Sequence, residues 1–336
     1  MTREETWFES DDGTKLFLRR WLPGPDVSGK PPAVVHIVHG MAEHAQRYQR
    51  LAEKFTAGGI EVWAADQRGH GKTADLQVNG PGRGGILGHC ADGDGFKRVT
   101  ADVYAINQKI RTSYPGVPLF LLGHSWGSFI AQNYIEQYAG AAGINGCALS
   151  GTRGPGGLKI QAGIPLMILC TILWGRRKGS SLARAIADGP YNKPFRPNRT
   201  SFDWLSRDEA AVDAYVRDPY CGKLCSSGFY RDLLRGLYRI HQNEAMARIR
   251  RDLPIYVFSG SADPVGDMGA GPTSLISAYR SLGITDLEFV LYPGARHETL
   301  NETNREEVMD NLLSWIHRHI AAGQAAEAGT FTSGEA

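Results

Sequence analysis

One short stretch of the chain carries the most direct sign of covalent chemistry. LLGHSWGS, residues 121–128, places Ser125 between Gly123 and Gly127 at the end of an apolar run. A serine hydroxyl becomes a nucleophile when a neighbouring base takes its proton and a third group orients that base. A sharp strand-to-helix turn exposes the hydroxyl, and it needs small residues two positions before and after the serine. Because G-x-S-x-G also arises by chance, the rest of the chain must supply a base, an acid and an oxyanion site.

The candidate base is a late histidine, because in strand–serine–helix sites of this kind the acid and then the histidine follow the serine along the chain. Of ten histidines, His297 in VLYPGARHETL follows a strand-like run and precedes the last helical segment. His317 and His319 lie within that helical segment, and His124 would point away from the serine. His241 lies in the long segment 152–245, which is inserted between two predicted strands. The sequence therefore predicts His297 as the general base.

The candidate acid follows the preceding strand, in IYVFSGSADPVGD, which offers Asp263 and Asp267. Asp263 comes directly before Pro264, which favours an extended backbone and a fixed turn just past the strand. A carboxylate there would hold the imidazole tautomer and stabilise the imidazolium. We expect Asp263 to be the acid and keep Asp267 as the alternative.

A tetrahedral intermediate also needs backbone N–H donors for its negatively charged oxygen. One donor is expected from Trp126, directly after the serine, and the other from Met41, in the loop after the first parallel strand. His36, His39 and His44 surround that loop, but they match no recognised ligand pattern and no thiol or carboxylate set completes one. We predict an oxyanion hole here, with neither a metal nor a cofactor.

The elements that position these residues alternate between apolar strands and helices, after an opening hairpin around Asp12-Gly13. This alternation indicates a mainly parallel sheet covered by helices on both faces. Ligand sites in such sheets lie beyond the carboxyl ends of the strands, where all the candidate residues fall. The predicted strands are 33–40, 60–66, 117–123, 144–151, 253–260 and 287–294, and the predicted helices are 44–58, 97–113, 126–138, 273–282 and 304–320.

One long segment, about 152–245, lacks strand periodicity and is too long for a structureless loop. We predict a helical cap inserted between two strands of an α/β core formed by 1–151 and 246–321. The small and polar residues of 322–336 predict a disordered tail. Within the cap, the apolar run 164–174 is shorter than the ~20 residues that a bilayer span needs.

Composition excludes several classes of protein. The 336 residues are 42% hydrophobic and 21% charged, as in ordinary globular proteins. The net charge is +2 and Lys/Arg clusters are short, so nucleic acid is not expected as a partner. Five scattered cysteines favour free thiols, and the polar N-terminus shows no secretory signal. We therefore expect a reducing, cytoplasmic location.

Five motifs in order resemble the monoglyceride lipase and lysophospholipase branch of the α/β-hydrolase superfamily: HGMAEHAQRY, DQRGHGKT, GHSWGS, SGSADPVG and PGARHE. The resemblance covers about residues 5–320. It implies the α/β-hydrolase fold, a mainly parallel central sheet flanked by helices, with an inserted helical cap. The residues that it implies are a catalytic triad of Ser125, Asp263 and His297, with Met41 and Trp126 as oxyanion donors.

Other motif residues are expected to be structural. In DQRGHG, Asp66, Arg68 and His70 are expected to fix a turn rather than to perform chemistry. In the oxyanion loop, Glu43 and His44 are expected to brace the backbone.

The predicted function is a serine carboxylic-ester hydrolase that acts on monoacylglycerol or lysophospholipid-like esters through an acyl-enzyme. A dehalogenase or an epoxide hydrolase would have aspartate in place of Ser125, so both are disfavoured. The triad alone does not separate the alternatives of a small-ester carboxylesterase, a C–C bond hydrolase or a haloperoxidase. A non-enzymatic relative would ordinarily have a degraded triad.

Substrate choice depends on the cap. The run 164–174 is apolar all round and precedes Arg176-Arg177-Lys178. It is either a lid that faces an acyl chain or makes transient contact with a membrane surface, or a cap helix buried against the core. Both interpretations suit an apolar acyl ester. Five cap aromatics are expected to pack rather than to line a pocket: Tyr191, Phe195, Phe202, Trp204 and Tyr215.

Overall fold

A single eight-stranded sheet organises the chain, which a computed structural model describes over residues 1–24, 29–138, 143–187 and 189–332. The strands are β1 (Thr2–Glu9), β2 (Lys15–Leu22), β3 (Val34–Val38), β4 (Glu61–Asp66), β5 (Leu119–His124), β6 (Gly146–Ser150), β7 (Ile255–Gly260) and β8 (Leu287–Tyr292). Their order across the sheet is β1-β2-β4-β3-β5-β6-β7-β8.

The sheet is mainly parallel, which confirms the predicted fold class. Strand β2 runs antiparallel to β1 and β4, and the other neighbouring strands pair in parallel. As predicted, the β1–β2 hairpin turns at Asp12-Gly13. Glu9 lies opposite Lys15 in this hairpin. Every residue of β3 to β7 is buried, because helices cover both faces of these apolar strands.

The five helices predicted in the core are present, and all but the last end within one residue of the predicted position. The helices are α1 (Gln49–Ala57), α2 (Leu76–Asn79), α3 (Gly95–Ser113), α4 (Trp126–Gln137), α5 (Gly157–Trp174), α6 (Ser181–Ala187), α7 (Glu209–Arg217), α8 (Ser227–Ile240), α9 (Asn243–Met246), α10 (Ala270–Ser281) and α11 (Arg305–Thr332).

Two hydrophobic clusters fill the layers between the sheet and its helices. Residues of α3, α4, α8 and α10 belong to one cluster, and residues of α1 and α11 belong to the other. In the second cluster, the ring of Trp315 stacks on Tyr256 at 5.6 Å and meets the edge of Phe120 at 5.7 Å. These contacts fix α11 against the sheet, and therefore also fix the loop that enters this helix from β8.

Helices α5 to α9 occupy the stretch between β6 and β7, where the cap is expected. Helix α5 packs on α8, and α8 also contacts α3 and α4 of the core. Among the helices that the structure describes, none is long and apolar enough to cross a membrane. All five cysteines are buried thiols.

The C-terminal segment differs from its prediction. A disordered tail is expected over 322–336, but α11 continues as far as Thr332. The sequence AAGQAAEAG is rich in alanine, which has the highest intrinsic helix propensity, and this favours continuation of the helix. Residues 333–336 lie outside the described residues.

Candidate active site

The carboxyl ends of four strands bring the candidate residues together. Met41 follows β3, Ser125 follows β5, Asp263 follows β7 and His297 follows β8. Because the ends of parallel strands meet at one edge of the sheet, residues far apart in sequence become neighbours there.

Ser125, His297 and Asp263 form one continuous line of hydrogen bonds. The Ser125 hydroxyl donates to Nε2 of His297 at 2.8 Å. Nδ1 of His297 donates to the two oxygens of Asp263, each at 3.0 Å. Asp263 also accepts the Val265 N–H at 2.8 Å and the Ser259 hydroxyl at 3.2 Å. This is the geometry that activates a serine: a base in contact with the hydroxyl, oriented by a buried carboxylate.

The turn that presents Ser125 is strained. Ser125 has φ +53° and ψ −121°, a conformation that L-residues rarely adopt. The flanking glycines make the turn sterically allowed, since a Cβ at Gly127 would overlap the carbonyl oxygen of Val38 and a Cβ at Gly123 would overlap that of Gly127. The turn therefore has no room for a side chain at either position.

The two residues predicted as oxyanion donors, Trp126 and Met41, lie beside Ser125. Trp126 is the first residue of α4, so its N–H has no acceptor within the helix. The Met41 N–H likewise donates to no acceptor among the residues that the structure describes. Met41, Trp126 and Ser125 line the same cavity. The loop that contains Met41 approaches Ser125 closely at Gly40, where an added Cβ would lie 3.2 Å from the Cβ of Ser125.

A buried ion network holds the Met41 loop. Glu43 accepts the Gly40 N–H at 2.6 Å and the Tyr48 hydroxyl at 2.9 Å. Arg47 donates to Glu43 at 2.7 Å and to both oxygens of Glu298, at 2.6 and 2.7 Å. Burial would raise the pKa of Glu43, but the charge of Arg47 and other neighbours, including the Gly40 N–H, together outweigh burial and lower the pKa to about 2. One guanidinium thus joins the Met41 loop to the residue next to His297.

The cap holds the same loop from the opposite side. The Tyr215 hydroxyl and the Gly222 N–H both donate to the carbonyl of Ala42, each at 2.9 Å. His44 donates from Nε2 to Asp218 at 2.9 Å. The bracing expected of Glu43 and His44 therefore runs to both the core and the cap.

The surroundings of His297 set its protonation. Burial alone would lower the pKa of His297, but the charge of Asp263 and its hydrogen bond outweigh burial and raise the pKa above its usual value. Asp263 shows the reverse balance: burial would raise its pKa, but His297 lowers it. Burial, followed by the charge of His297, lowers the pKa of the neighbouring His124 to about 4, so His124 is neutral.

Asp267, the alternative acid, lies outside this arrangement. It is exposed and accepts from Arg153 at 2.9 Å. Two contributors were missed by the sequence analysis. A Cβ at Gly151 would lie 3.0 Å from Cε1 of His297, so this glycine makes room for the imidazole. The ring of Trp204, from the cap, lies 5.2 Å from the ring of His297.

The DQRGHG residues have structural partners, in line with the prediction. The Arg68 side chain is fully buried and pairs with Asp12 and Asp102. Asp66 accepts from Arg19 at 2.6 Å. The His70 ring stacks on Trp126 at 5.2 Å.

The residues that could hold a metal are His44, Asp218 and Cys221, whose ligand atoms lie within 4.8 Å of one another in the described chain. His44 and Asp218 already bond each other. Burial raises the pKa of the Cys221 thiol, which disfavours the thiolate that a metal needs.

Two cavities meet at Ser125. The larger has a volume of about 530 Å³ and is lined mainly by apolar side chains from α4, α5, α6 and α8. The smaller, about 40 Å³, is lined by the Met41 loop, His297 and polar cap residues. The expectation that the cap aromatics only pack is wrong for four of them, because the cap segments fold over the site and form its walls. Tyr191 and Trp204 line the larger cavity, and Phe202, Trp204 and Tyr215 line the smaller one.

Helix α5 presents two different apolar faces. Met167 and Cys170 are buried, at 3% and 1% exposure, whereas Ile172 and Leu173 are 73% and 60% exposed. The buried face agrees with the interpretation of 164–174 as a cap helix packed against the core, and the other face is exposed.

The fold and the site define an α/β-hydrolase. A family model described as serine aminopeptidase, S33 (Hydrolase_4) matches residues 29–304, and the chain belongs to this family.

Several of the proteins that the chain is similar to are lipases and esterases. The chain is 28% identical over 322 residues to the monoacylglycerol lipase of Mycolicibacterium smegmatis, covering 95% of this chain and 99% of that protein. It is 28% identical over 325 residues to the monoglyceride lipase of Mus musculus, covering 94% and 90%. A thermostable carboxyl esterase from Bacillus coagulans has a similar structure, with a TM-score of 0.83, 27% identity and coverage of 95% and 99%. The chain is therefore an enzyme of the lipase and esterase class, in the monoglyceride lipase branch.

The pKa of His297 predicts the acid limb of the pH profile. The imidazole must be neutral to accept a proton, so a raised pKa means that kcat/KM falls with an apparent pKa above 6.5 as the pH decreases. In Asp263→Asn, the negative charge that raises the pKa of His297 is lost, so burial should lower this pKa. The acid limb should then move to lower pH, and kcat should fall roughly 10³–10⁴-fold. Asp267→Asn is the matched control and should change neither. If the acid limb of the pH profile moves in Asp267→Asn and not in Asp263→Asn, Asp267 is the acid of the triad.

The Arg47 network predicts a coupled loss of stability and rate. Arg47→Lys keeps the charge but loses the fork that reaches both carboxylates, so we expect about 1–3 kcal/mol less stability in urea unfolding. Misplacement of the Met41 amide should lower kcat about tenfold with little change in KM. Arg207→Lys, at the Arg207–Glu302 pair (2.9 Å), is the control for loss of an arginine fork. Reduced stability with unchanged kcat would show that the network does not position the loop.

Proposed function

We propose that this enzyme hydrolyses monoacylglycerol or lysophospholipid-like esters of medium or long acyl chains, with Ser125, His297 and Asp263 as its catalytic triad. The observation that carries the proposal is the apolar cavity of about 530 Å³ that ends at Ser125. Binding sites for apolar small molecules typically have volumes of about 300–1,000 Å³. The names of the similar lipases support the same substrate class.

In the proposed mechanism, each residue has a role in two half-reactions. Ser125 Oγ attacks the ester carbonyl while His297 Nε2, 2.8 Å away, takes its proton and Asp263 stabilises the imidazolium. The Met41 and Trp126 amides hold the oxyanion. His297 then gives the proton to the departing alcohol, which leaves an acyl-enzyme. A water molecule, activated by His297, releases the fatty acid and restores the serine.

In this proposal the larger cavity receives the acyl chain and the smaller one receives the alcohol. Met167, Leu233 and Leu237 make the larger cavity apolar, while the smaller one contains charged and aromatic side chains. Residues 152–245 then act as a cap that completes both walls. A small-ester carboxylesterase would leave most of the larger cavity empty, so this alternative is less favoured.

We further propose that the cap rests on a lipid surface during turnover. Exposed apolar side chains of α5 and α6 form one docking surface: Leu166, Leu169, Ile172, Leu173, Trp174, Leu182 and Ile186. Leu166 and Ile186 also line the larger cavity. A path of apolar side chains thus connects the exposed surface with the acyl cavity, so an acyl chain could enter from lipid without crossing water.

The acyl assignment predicts a chain-length profile. With p-nitrophenyl esters from C2 to C16, kcat/KM should rise roughly two- to fourfold per methylene, the value expected for burying apolar carbon, until the cavity is filled. Leu233→Trp should shorten the optimal chain while C4 hydrolysis is retained. Ser125→Ala, folded but inactive, is the blank.

Two results would contradict the assignment. Activity confined to C2–C4 esters would indicate a small-ester carboxylesterase. Absence of any ester turnover in folded protein would favour the alternative function, a C–C bond hydrolase.

The docking surface predicts a defect specific to lipid interfaces. Replacing Ile172 and Leu173 with serine should reduce binding to phosphatidylcholine vesicles, measured by co-sedimentation, about tenfold, because both side chains would lose burial in lipid. Hydrolysis of soluble p-nitrophenyl butyrate should not change. The matched control replaces Leu76 and Val78, exposed apolar residues outside the cap. Equal vesicle binding by both double variants would show that the docking surface does not bind lipid.

A further inference from the structure

Two cationic side chains line the smaller cavity on its cap side. Arg184 of α6 and Lys223, which precedes α8, share this cavity with Ser125 and His297. Among the described residues, no carboxylate lies within ion-pair distance of either cation. Arg184 is partly buried and Lys223 is exposed.

The Arg184 guanidinium is held in place by neutral groups. Its Nη1 donates to the Gly222 carbonyl at 3.2 Å, and its central carbon lies 5.3 Å from the centre of the Phe202 ring. Gly222 has φ +65°, and a Cβ there would lie 2.9 Å from Phe202. The turn at Gly222 thus brings the guanidinium, the aromatic ring and Lys223 together. Most N–H groups of the guanidinium have no hydrogen-bond acceptor among the described residues.

The carboxylates on the cavity wall do not neutralise these cations. Glu43 and Glu298 also line the cavity, but Arg47 bonds both of them from behind. Each has further donors, Gly40 and Tyr48 for Glu43 and Asn301 for Glu298. The five charged side chains around this cavity are three cations (Arg184, Lys223 and Arg47) and two carboxylates (Glu43 and Glu298), so their net formal charge is positive.

We propose that Arg184 and Lys223 bind a phosphate anion on the alcohol half of the substrate. The enzyme then prefers acylglycerols that carry a phosphate, that is lysophospholipids, over neutral monoacylglycerol with the same acyl chain. This inference rests on the proposed function. The cavity of about 40 Å³ has room for only a few atoms next to the ester, so the phosphate lies at its mouth beside exposed Lys223.

The chemistry of the two side chains suits this ligand. A guanidinium presents paired N–H groups that match two phosphate oxygens, and an ammonium adds a point charge. Preference is a difference between two affinities. A neutral glycerol group gives Arg184 no charge to bind, whereas a phosphate gains charge-assisted hydrogen bonds.

The test compares three esters with one acyl chain: 1-lauroylglycerol, 1-lauroyl lysophosphatidic acid and 1-lauroyl lysophosphatidylglycerol, each in neutral detergent micelles. For wild type, kcat/KM should be about tenfold higher for the two phosphate esters. In Arg184→Gln and in Lys223→Gln, kcat/KM for the phosphate esters should fall about tenfold more than for 1-lauroylglycerol. Arg184→Lys should restore part of the preference.

Matched controls separate this site from general surface charge. Arg217→Gln and Lys97→Gln remove exposed cations that line neither cavity and should leave the preference intact. Thermal unfolding of each variant checks the fold.

The outcomes distinguish the two proposals. Hydrolysis of 1-lauroylglycerol with no preference for phosphate, or a preference that the control variants lose equally, would overturn the phosphate site and leave the proposed function standing. Failure of folded wild type to hydrolyse any of the three esters would overturn both.

Discussion

The bonds from the Arg47 guanidinium to two buried carboxylates are the interaction on which the site depends most. Glu43 lies in the Met41 loop after β3, and Glu298 lies next to His297 after β8, 251 residues from Arg47. Removing one partner of a buried ion pair leaves an uncompensated charge, so the network strongly favours one relative position of the two loops. The proposed oxyanion donor and the proposed base are thereby held in register with Ser125, whose own position is fixed by a strained turn.

The cap completes this arrangement rather than only covering it. Tyr215 and Gly222 hold the Ala42 carbonyl, and the Leu205 carbonyl accepts the Glu298 N–H at 2.7 Å. The same cap segments form the walls of both cavities. The cap segments proposed to choose the substrate are therefore bonded to the loops that carry the proposed catalytic residues, and a change in the cap should affect rate as well as binding.

The sequence was sufficient for features that depend on local patterns. Apolar runs predicted the parallel strands. The G-x-S-x-G motif selected Ser125, and chain order then pointed to Asp263 and His297; the structure brings these three residues into contact. Features that depend on distant contacts were not predictable. Glu43 and Arg47 have the i, i+4 spacing of a helical ion pair, but nothing in the sequence connects either to Glu298. Trp204 reaches His297 from a cap segment without periodicity. Helix α11 passed its predicted end because alanine propensity outweighed the polar composition of the tail.

The central claim is that Ser125 is the nucleophile of an acyl-enzyme. The most direct measurement is intact-protein mass spectrometry after reaction with a long-chain fluorophosphonate, followed by peptide mapping. If Ser125 is the nucleophile, a single adduct forms on Ser125 and is absent in Ser125→Ala. A stoichiometric adduct on another residue, or no adduct in folded wild-type protein, would show that Ser125 is not the nucleophile.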